Sequence, residues 1–375
     1  MDIHAQAPLI TAIVPTYKRP RHLRRAVYSI LSQSFSNFHI LIADNASGSE
    51  TDQVVQELTE SDARVKVLRH PTNLGATANF HTALQHVTTP YVCFLPDDDF
   101  YLPTFFERTL TFFIQYPELA LCAGEVLLID QACEIRYPVK NSYTELAKGY
   151  FAPSDGMFAY LQSGHNFLLP GIVFKTACIQ GVGGFDTRLC VEFDIDVISK
   201  CAARFPIYLL PEPVYFTTID GDHLGTSLDH FAREKERMTV HDNLLSLPTV
   251  SEVKLRLETF LMQQHIKHLS IAFKNYCDLK NFAKAYTCAE KIFFLTPTNK
   301  EKAKWKRRKR QVSRYAFPHL LLPLYAMLKK PEKMIRGFRS PKSTSVKPAM
   351  LDTLSLVPPE WNSFVKQLNA QAGLG

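Results

Sequence analysis

The chain lacks the patterns that mark several common classes of protein. No stretch of its 375 residues reaches the roughly 18 apolar residues that a membrane-spanning helix needs. Residues 1–8 have neither the basic nor the apolar region of a secretory signal, so we expect a cytoplasmic protein. The eight cysteines form no Cys-x-x-Cys motif, which predicts reduced core residues rather than a metal or disulfide framework.

Glycine motifs that bind phosphate are also missing. No Gly-x-Gly-x-x-Gly follows the first predicted strand, and no Gly-x-x-x-x-Gly-Lys-Ser/Thr occurs anywhere. The sequence therefore does not support assignment as a Rossmann dehydrogenase or as a P-loop NTPase. A nucleotide site remains possible if a carboxylate at a strand end meets the base or ribose and a metal bridges the phosphates to acidic residues.

Charge is divided unevenly along a chain whose 46% hydrophobic content is that of a soluble globular protein. Residues 1–227 carry 16 Lys+Arg and 24 Asp+Glu, a net charge of −8. Residues 228–375 carry 27 and 12, a net charge of +15. We therefore predict a domain at 1–227 and a helical, basic region at 228–375, with different partners.

The first hundred residues alternate between apolar strands and amphipathic helices. After the first strand, Leu23, Ala26, Val27 and Ile30 recur at helical spacing and form one apolar stripe. The predicted strands lie at 10–14, 38–43, 65–68 and 91–95. This repeat predicts βαβ units, and thus an α/β fold with a mainly parallel sheet.

Three adjacent carboxylates, Asp97, Asp98 and Asp99, follow the fourth strand. Ligands of open α/β sheets bind outside the carboxyl ends of the strands, and packed carboxylates repel unless a cation lies among them. A hard divalent metal is therefore expected here. The alternative is a polar turn that caps the helix beginning near Pro103.

At this point the chain resembles the family 2 glycosyltransferases with the GT-A fold. The motifs that carry the resemblance are Pro15-Thr-Tyr-Lys-Arg-Pro20, Ala43-Asp-Asn-Ala-Ser47, Asn73-Leu-Gly-Ala-Thr-Ala-Asn79, Phe94-Leu-Pro-Asp-Asp-Asp99, Gly183-Gly-Phe-Asp186, Phe193-Asp-Ile-Asp-Val197 and the strand Val214-Tyr-Phe-Thr217 with His223. They occur in the order found in the family. The resemblance implies a GT-A-type, mainly parallel nucleotide-binding sheet with flanking helices, followed here by a basic α-helical carboxyl-terminal region.

The resemblance also implies the residues of a donor site. Those expected to bind the donor nucleotide are Pro15, Thr16, Tyr17, Arg19, Asp44, Asn73, Asp97 and Asp98. The expected ligands of Mn²⁺ or Mg²⁺ are Asp97, Asp99 and His223, although which two of the three aspartates bind metal stays open. The alternative for Asp44 is a turn or helix cap.

For the acceptor side, the resemblance places the general base at Asp194, with Phe193 where the family often has Glu. A register shifted by one residue would make Glu192 the base instead. The residues expected at the acceptor are His165, Asn166 and Glu192. The alternative for the carboxylates is that they stabilise the start of a helix. A second departure is Phe80, where many members have Arg.

Beyond residue 227 the sequence reads as helical and basic. The basic run at 302–310 precedes a short apolar segment at 315–328, and Ser, Pro and Thr at 340–360 predict an extended tail. We expect residues 300–340 to lie on an anionic membrane surface, on the inner face of the cytoplasmic membrane. Nucleic acid is the competing partner, which the absence of a nucleic-acid-binding module disfavours.

The predicted function is an inverting glycosyltransferase. It would move a sugar from a nucleotide-diphosphate donor to a glycan or lipid-linked acceptor in surface polysaccharide biosynthesis. The alternatives are a nucleotidyltransferase, which also uses metal-binding carboxylates, and a degenerate family member that acts only as a binding module.

Overall fold

A computed structural model describes residues 9–129, 135–136, 148–162, 167–218, 229–248, 251–296, 298–316 and 359–373. The chain forms two compact units, residues 1–247 with 351–375, and residues 248–350. The units divide after residue 247 rather than at the change in net charge after residue 227. The reason is that the helix at His230–Leu245 packs on the first unit, with which it is continuous.

Within the described residues, the strands of the first unit form one ten-stranded sheet. They are β1 (Ile10–Thr16), β2 (Phe38–Asp44), β3 (Val65–Arg69), β4 (Tyr91–Phe94), β5 (Phe100–Tyr101), β6 (Leu121–Ile129), β7 (Ile135–Arg136), β8 (Gly149–Phe151), β9 (Ile172–Lys175) and β10 (Ile207–Thr218). Their order is β3-β2-β1-β4-β9-β6-β10-β5, while β7 pairs with β6 and β8 with β10.

The predicted parallel arrangement of the first four strands is confirmed. Ile10 of β1 pairs in parallel with Phe38 on one side and Tyr91 on the other. Strand β9 runs antiparallel to both β4 and β6, so β6 and β10 regain the direction of the first four strands. As a result the carboxyl ends of β1, β2 and β4 lie side by side at one edge of the sheet.

Helices cover this sheet and make up the second unit. In the first unit they are α1 (Pro20–Leu31), α2 (Ser49–Ser61), α3 (Ala76–Gln85), α4 (Phe105–Gln115), α5 (Asp155–Gln162), α6 (Thr176–Gly181), α7 (Phe193–Arg204) and α8 (His230–Leu245). Helix α1 shows why they form: Pro20 occupies the first turn, where its missing N–H costs nothing, and the predicted apolar stripe is buried.

The predicted extended tail at 340–360 lies outside the described residues except for its last two, which begin a helix that the sequence analysis did not predict. This helix is α12 (Pro359–Ala372). Val365 and Leu368 of this helix are buried in one apolar cluster with Phe100 and Phe216. Trp361, Phe364, Val365 and Leu368 recur at helical spacing, and this amphipathic pattern is what lets the segment pack on the first unit.

The second unit consists, among its described residues, of α9 (Ser251–Asp278), α10 (Phe282–Leu295) and α11 (Asn299–Ala316). This confirms the predicted helical character of the region. The basic run lies on α11, and its Trp305 is buried with its ring 5.3 Å from that of Phe273. The predicted apolar segment beyond residue 316 lies outside the described residues. Among the helices that are described, none combines the length and apolarity needed to cross a membrane.

Candidate functional site

The carboxyl ends of β1 and β4 meet through a short hydrogen bond. Thr16 Oγ1, at the end of β1, donates to Asp97 Oδ2 at 2.7 Å, and both side chains are buried. The acidic triplet does not cap the next helix, because α4 begins beyond Thr104 and β5 intervenes. The helix-cap alternative for Asp97–Asp99 is therefore wrong, and the triplet lies at the edge where ligands of such sheets bind.

Arg19 lies between two carboxylates of the triplet. Its Nη1 is 3.4 Å from Asp97 Oδ1 and 3.1 Å from Asp98 Oδ2. Burial and the neighbouring Asp98 carboxylate raise the pKa of Asp97 to about 7, and Thr16 and Arg19 offset this only in part. A further positive charge at this edge would favour the ionised form of Asp97.

The donor atoms of the triplet suit Mg²⁺ or Mn²⁺, which prefer carboxylate oxygens. In the described part of the chain, however, no group of three or more acidic, His or Cys side chains converges to hold a metal ion. Such ions are commonly held by one or two carboxylates together with the phosphates of a substrate. The residues therefore fit an open site that a diphosphate would complete.

Asn45 links the carboxyl end of β1 to the loop after β3. No role was predicted for this residue from the sequence. Its Nδ2 donates to Asn73 Oδ1 at 2.9 Å, and its Oδ1 accepts from the Leu74 N–H at 2.8 Å. Its own N–H donates to the Thr16 carbonyl at 3.0 Å. The available signal was a second polar residue directly after the end of β2.

Asp44 is buried and caps its own turn. Its Oδ1 accepts from the Ser47 N–H at 3.1 Å, and Ser47 Oγ accepts from the Lys18 N–H at 3.0 Å. Lys18 and Ala46 have φ of 57° and 62°, an uncommon conformation for residues other than glycine. Backbone strain of this kind costs about 1–3 kcal/mol and clusters at ligand-binding loops.

Tyr17 projects beside this turn with 40% of its surface exposed. Hydrogen bonds with Asn73 and Lys18 lower the pKa of the Tyr17 hydroxyl. An exposed ring at a sheet edge offers an apolar face on which a base can stack. Pro15 is a buried residue near the end of the same strand, and its ring fixes its own φ.

The turn that starts α7 carries a second acidic group. Asp194 is partly buried, and its Oδ1 accepts from the Ile195 N–H at 2.7 Å. Loss of water raises the pKa of Asp194 to about 7; the hydrogen bond from the Ile195 N–H opposes this rise, and the nearby Glu192 charge adds to it. A carboxyl with this pKa can take up a proton near neutral pH.

Helix α8, which the predicted domain boundary excluded, holds this acidic turn in place. Glu236 accepts from three successive N–H groups, those of Cys190, Val191 and Glu192, at 3.0, 2.8 and 3.0 Å. The buried Glu192 in turn pairs with the Nε of Arg237 at 3.1 Å and of Arg233 at 3.6 Å. The charged residues 233, 236 and 237 share one helix face. This spacing was the feature of the sequence that could have indicated that α8 contacts the acidic turn.

Two departures from the family pattern, Phe80 and Phe193, meet in the structure. Their ring centroids are 5.3 Å apart, and Phe185 lies 5.6 Å from Phe80 and 5.7 Å from Phe193. Phe80 is thus a core residue, and it offers no charge to a nucleotide. The two departures are thus in contact within one aromatic cluster of the core.

Carboxylates after β4 and at the start of α7 both affect the pKa of the buried Tyr215. Burial raises the pKa of Tyr215 well above its ordinary value, and the charges of Asp99 and Asp194 raise it further. The two carboxylates are far apart in sequence yet share this neighbour. Three other predicted site residues, His165, Asn166 and His223, lie outside the described residues.

Comparison with protein families agrees with this geometry. The model of the family described as "Glycosyl transferase family 2" matches residues 11–152, which contain β1, β2, β4 and the acidic triplet. Residues 11–152 belong to glycosyl transferase family 2. A relative in Campylobacter jejuni, GalNAc(5)-diNAcBac-PP-undecaprenol beta-1,3-glucosyltransferase, is 36% identical over 93 residues, 24% of this chain and 30% of that protein. The matches to two further family relatives cover 43% and 66% of their lengths.

Two solved structures share the fold of this chain. S. aureus TarS 1-349, in complex with UDP-GlcNAc, superposes with a TM-score of 0.60 at 15% identity, over 82% of this chain and 91% of TarS 1-349. The mannosyltransferase PcManGT of Pyrobaculum calidifontis, in complex with GDP-Man and Mn²⁺, gives a TM-score of 0.52 at 15% identity, over 84% and 88%. The predicted α/β GT-A fold with a helical carboxyl-terminal region is confirmed.

Proposed function

We propose that the protein is an inverting glycosyltransferase that uses a nucleotide-diphosphate sugar as donor. The observation that carries the proposal is the edge formed by the ends of β1 and β4, where Thr16 and Arg19 contact the buried Asp97 within the stretch that matches glycosyl transferase family 2. Single displacement needs one acidic group near the leaving diphosphate and another near the attacking oxygen, and we assign the second role to Asp194 at the start of α7. A glycan or lipid-linked acceptor fits the name of the Campylobacter relative, which acts on an undecaprenol-linked glycan.

The donor would lie across the ends of β1, β2 and β4. Tyr17, Asp44 and Asn73 would contact its base and ribose, and Thr16 and Arg19 hold Asp97 towards its diphosphate. Mn²⁺ or Mg²⁺ held by two carboxylates of the triplet would offset the charge on the leaving group. The Arg19 guanidinium supplies a positive charge at the same place.

Asp194 would act on the acceptor. It accepts the proton of the attacking hydroxyl while that oxygen bonds to the anomeric carbon, and the bond from that carbon to the diphosphate oxygen breaks. The electron pair of the broken bond leaves with the nucleoside diphosphate. Because the hydroxyl attacks the face opposite the departing diphosphate, the configuration at the anomeric carbon inverts. Glu236 and the Glu192–Arg237 pair keep Asp194 in place by fixing the turn that precedes it.

Donor binding is the direct test of the proposal. Thermal unfolding with a panel of nucleotide sugars, with and without Mn²⁺, should show stabilisation of about 2.7 kcal/mol at 100 times the dissociation constant of the correct donor. Release of free nucleoside diphosphate on addition of acceptor supports glycosyl transfer. Release of pyrophosphate would instead support the nucleotidyltransferase alternative, and no binding by any donor would contradict both.

We propose further that α11 brings the enzyme to an anionic membrane surface, on the inner face of the cytoplasmic membrane. On the second unit, a pocket between α10 and α11 is lined by Tyr286, Phe293, Lys306, Lys309 and Arg310. Cationic and aromatic side chains together suit the headgroup region of an anionic bilayer. The exposed basic residues of α11 extend this surface.

The charge of α11 should therefore govern binding to vesicles. Replacing the exposed Lys304, Lys306 and Arg307 by Gln should weaken binding to phosphatidylglycerol vesicles by about 1 kcal/mol for each charge removed. Sedimentation with the vesicles measures this binding, and added salt should weaken it as well. The matched control replaces Lys254, Arg256 and Lys267 of α9 by Gln. Equal sedimentation of both variants and the wild type would reject the proposal, and salt-sensitive binding to RNA but not to vesicles would favour nucleic acid.

A further inference from the structure

A buried arginine contacts the backbone of the acidic triplet from beneath. Arg25, on α1, is 5% exposed, and its Nη2 donates to the Asp98 carbonyl oxygen at 2.6 Å. The same Nη2 donates to Thr218 Oγ1 at 3.1 Å, and the Thr218 hydroxyl donates to the Asp98 carbonyl at 3.1 Å. The end of β10 and helix α1 thus hold one peptide group of the triplet.

The other side of this guanidinium meets the carboxyl-terminal helix. Arg25 Nη1 donates to Asn369 Oδ1 at 3.4 Å, and Asn369 is itself buried on α12. The guanidinium carbon lies 4.7 Å from the centre of the Phe100 ring, within the range of a cation–π contact. Arg25 therefore touches the triplet, the strand that follows it and a helix 344 residues away.

Apolar packing fixes the position of that helix. Val365 and Leu368 are buried beside Phe100 and Phe216, and the Trp361 ring meets Phe216 edge-on at 6.4 Å. Phe100 and Phe216 are stacked at 4.9 Å on the antiparallel pair of β5 and β10. The same two rings thus support both α12 and the strand that directly follows Asp99.

The position of this charge has a physical consequence. Taking a guanidinium out of water costs several kcal/mol unless hydrogen bonds and nearby charges compensate, so a buried arginine is expected to do more than fill space. A fixed positive charge that contacts the backbone of the triplet would reduce the repulsion between its carboxylates and the repulsion of an incoming diphosphate. Its hydrogen bond also orients the peptide from which the Asp98 and Asp99 side chains project.

We propose that α12 is a part of the donor site, and that Arg25 is the positioning residue through which it acts. Asn369 and the apolar face of α12 hold the guanidinium, and the guanidinium holds the triplet in the conformation that receives a nucleoside diphosphate. This proposal rests on the proposed function for the identity of the ligand. It adds a requirement for a carboxyl-terminal segment that lies outside residues 11–152.

The test uses the full-length chain and two readouts. Arg25→Met keeps the aliphatic packing and removes the charge, so the dissociation constant for UDP or GDP should rise about tenfold, as for one lost charge-assisted hydrogen bond. Asn369→Ala should raise it about threefold, with the KM of the acceptor unchanged in both variants. Hydrogen exchange of the amides at 97–102 should quicken in both variants.

Matched controls are Arg21→Met on α1 and Gln367→Ala on α12, both at exposed positions, which should leave both readouts unchanged. Unaltered exchange at 97–102 and unaltered nucleotide affinity in Asn369→Ala and Arg25→Met would overturn the proposal, even if melting temperatures fall. If Arg25→Met does not fold, Asn369→Ala decides alone. If the wild type binds neither UDP nor GDP, the proposed function fails, and hydrogen exchange still decides whether α12 orders the triplet.

Discussion

Asp194→Asn is expected to lower turnover by at least about 100-fold while leaving donor affinity unchanged, since removal of a general base usually costs 10²- to 10⁴-fold in rate. An amide keeps the shape of the side chain and its contact with the Ile195 N–H, but it cannot accept a proton. Steady-state kinetics with a saturating donor, together with a direct measurement of donor binding, checks this result.

Glu192→Gln tests the alternative register. It removes the charge that pairs with Arg233 and Arg237, so we expect a lower melting temperature and a much smaller loss of turnover. Should Asp194→Asn stay within a few fold of the wild type while Glu192→Gln is folded and inactive, Glu192 is the base. If neither substitution affects turnover, single displacement loses its support.

The pH dependence follows from the same carboxyl. Because the pKa of Asp194 is about 7 and the base must be ionised, kcat/KM should fall about tenfold for each pH unit below that value. The pKa in the unfolded chain is near 3.8, so the folded state binds the extra proton between these values. Stability contributed by this group is therefore lost as pH rises from about 4 to 7, and Asp194→Asn should melt no lower than the wild type above pH 7.

Asp97→Asn is expected to weaken donor binding by about 30- to 5000-fold, the range for removing one partner of a buried charge pair. Asp97 joins Thr16 and Arg19 at the donor edge, and an amide there would leave the metal and Arg19 with one charge fewer. Isothermal titration of the donor, with Mn²⁺ and with EDTA, measures the effect. Asp99→Asn, made separately, reports whether the third aspartate also holds the metal.

Asp62→Asn is the matched control, because Asp62 pairs with Arg64 away from the sheet edge. It should leave donor binding unchanged. Equal donor affinity with EDTA and with Mn²⁺, together with full activity of both triplet variants, would show that the metal assignment is wrong.

Local patterns in the sequence determined the framework of this protein. Apolar runs that end in polar residues predicted β1, β2 and β4, and helical spacing predicted α1, because these periodicities follow from backbone geometry alone. Carboxyl ends of parallel strands meet at one edge, which is why Thr16 at the end of β1 and Asp97 after β4 come within hydrogen-bond distance. None of this required a contact outside the repeated strand–helix unit.

Tertiary structure alone decided which distant groups hold the site. Glu236 reaches three N–H groups before α7, and Asn369 reaches Arg25, over separations of 44 to 46 and of 344 residues. Net charge changes sign before α8, so composition divided the chain where packing does not. Such contacts depend on the docking of whole helices onto the sheet, which is set by the shape of the assembled core and not by any local pattern of residues.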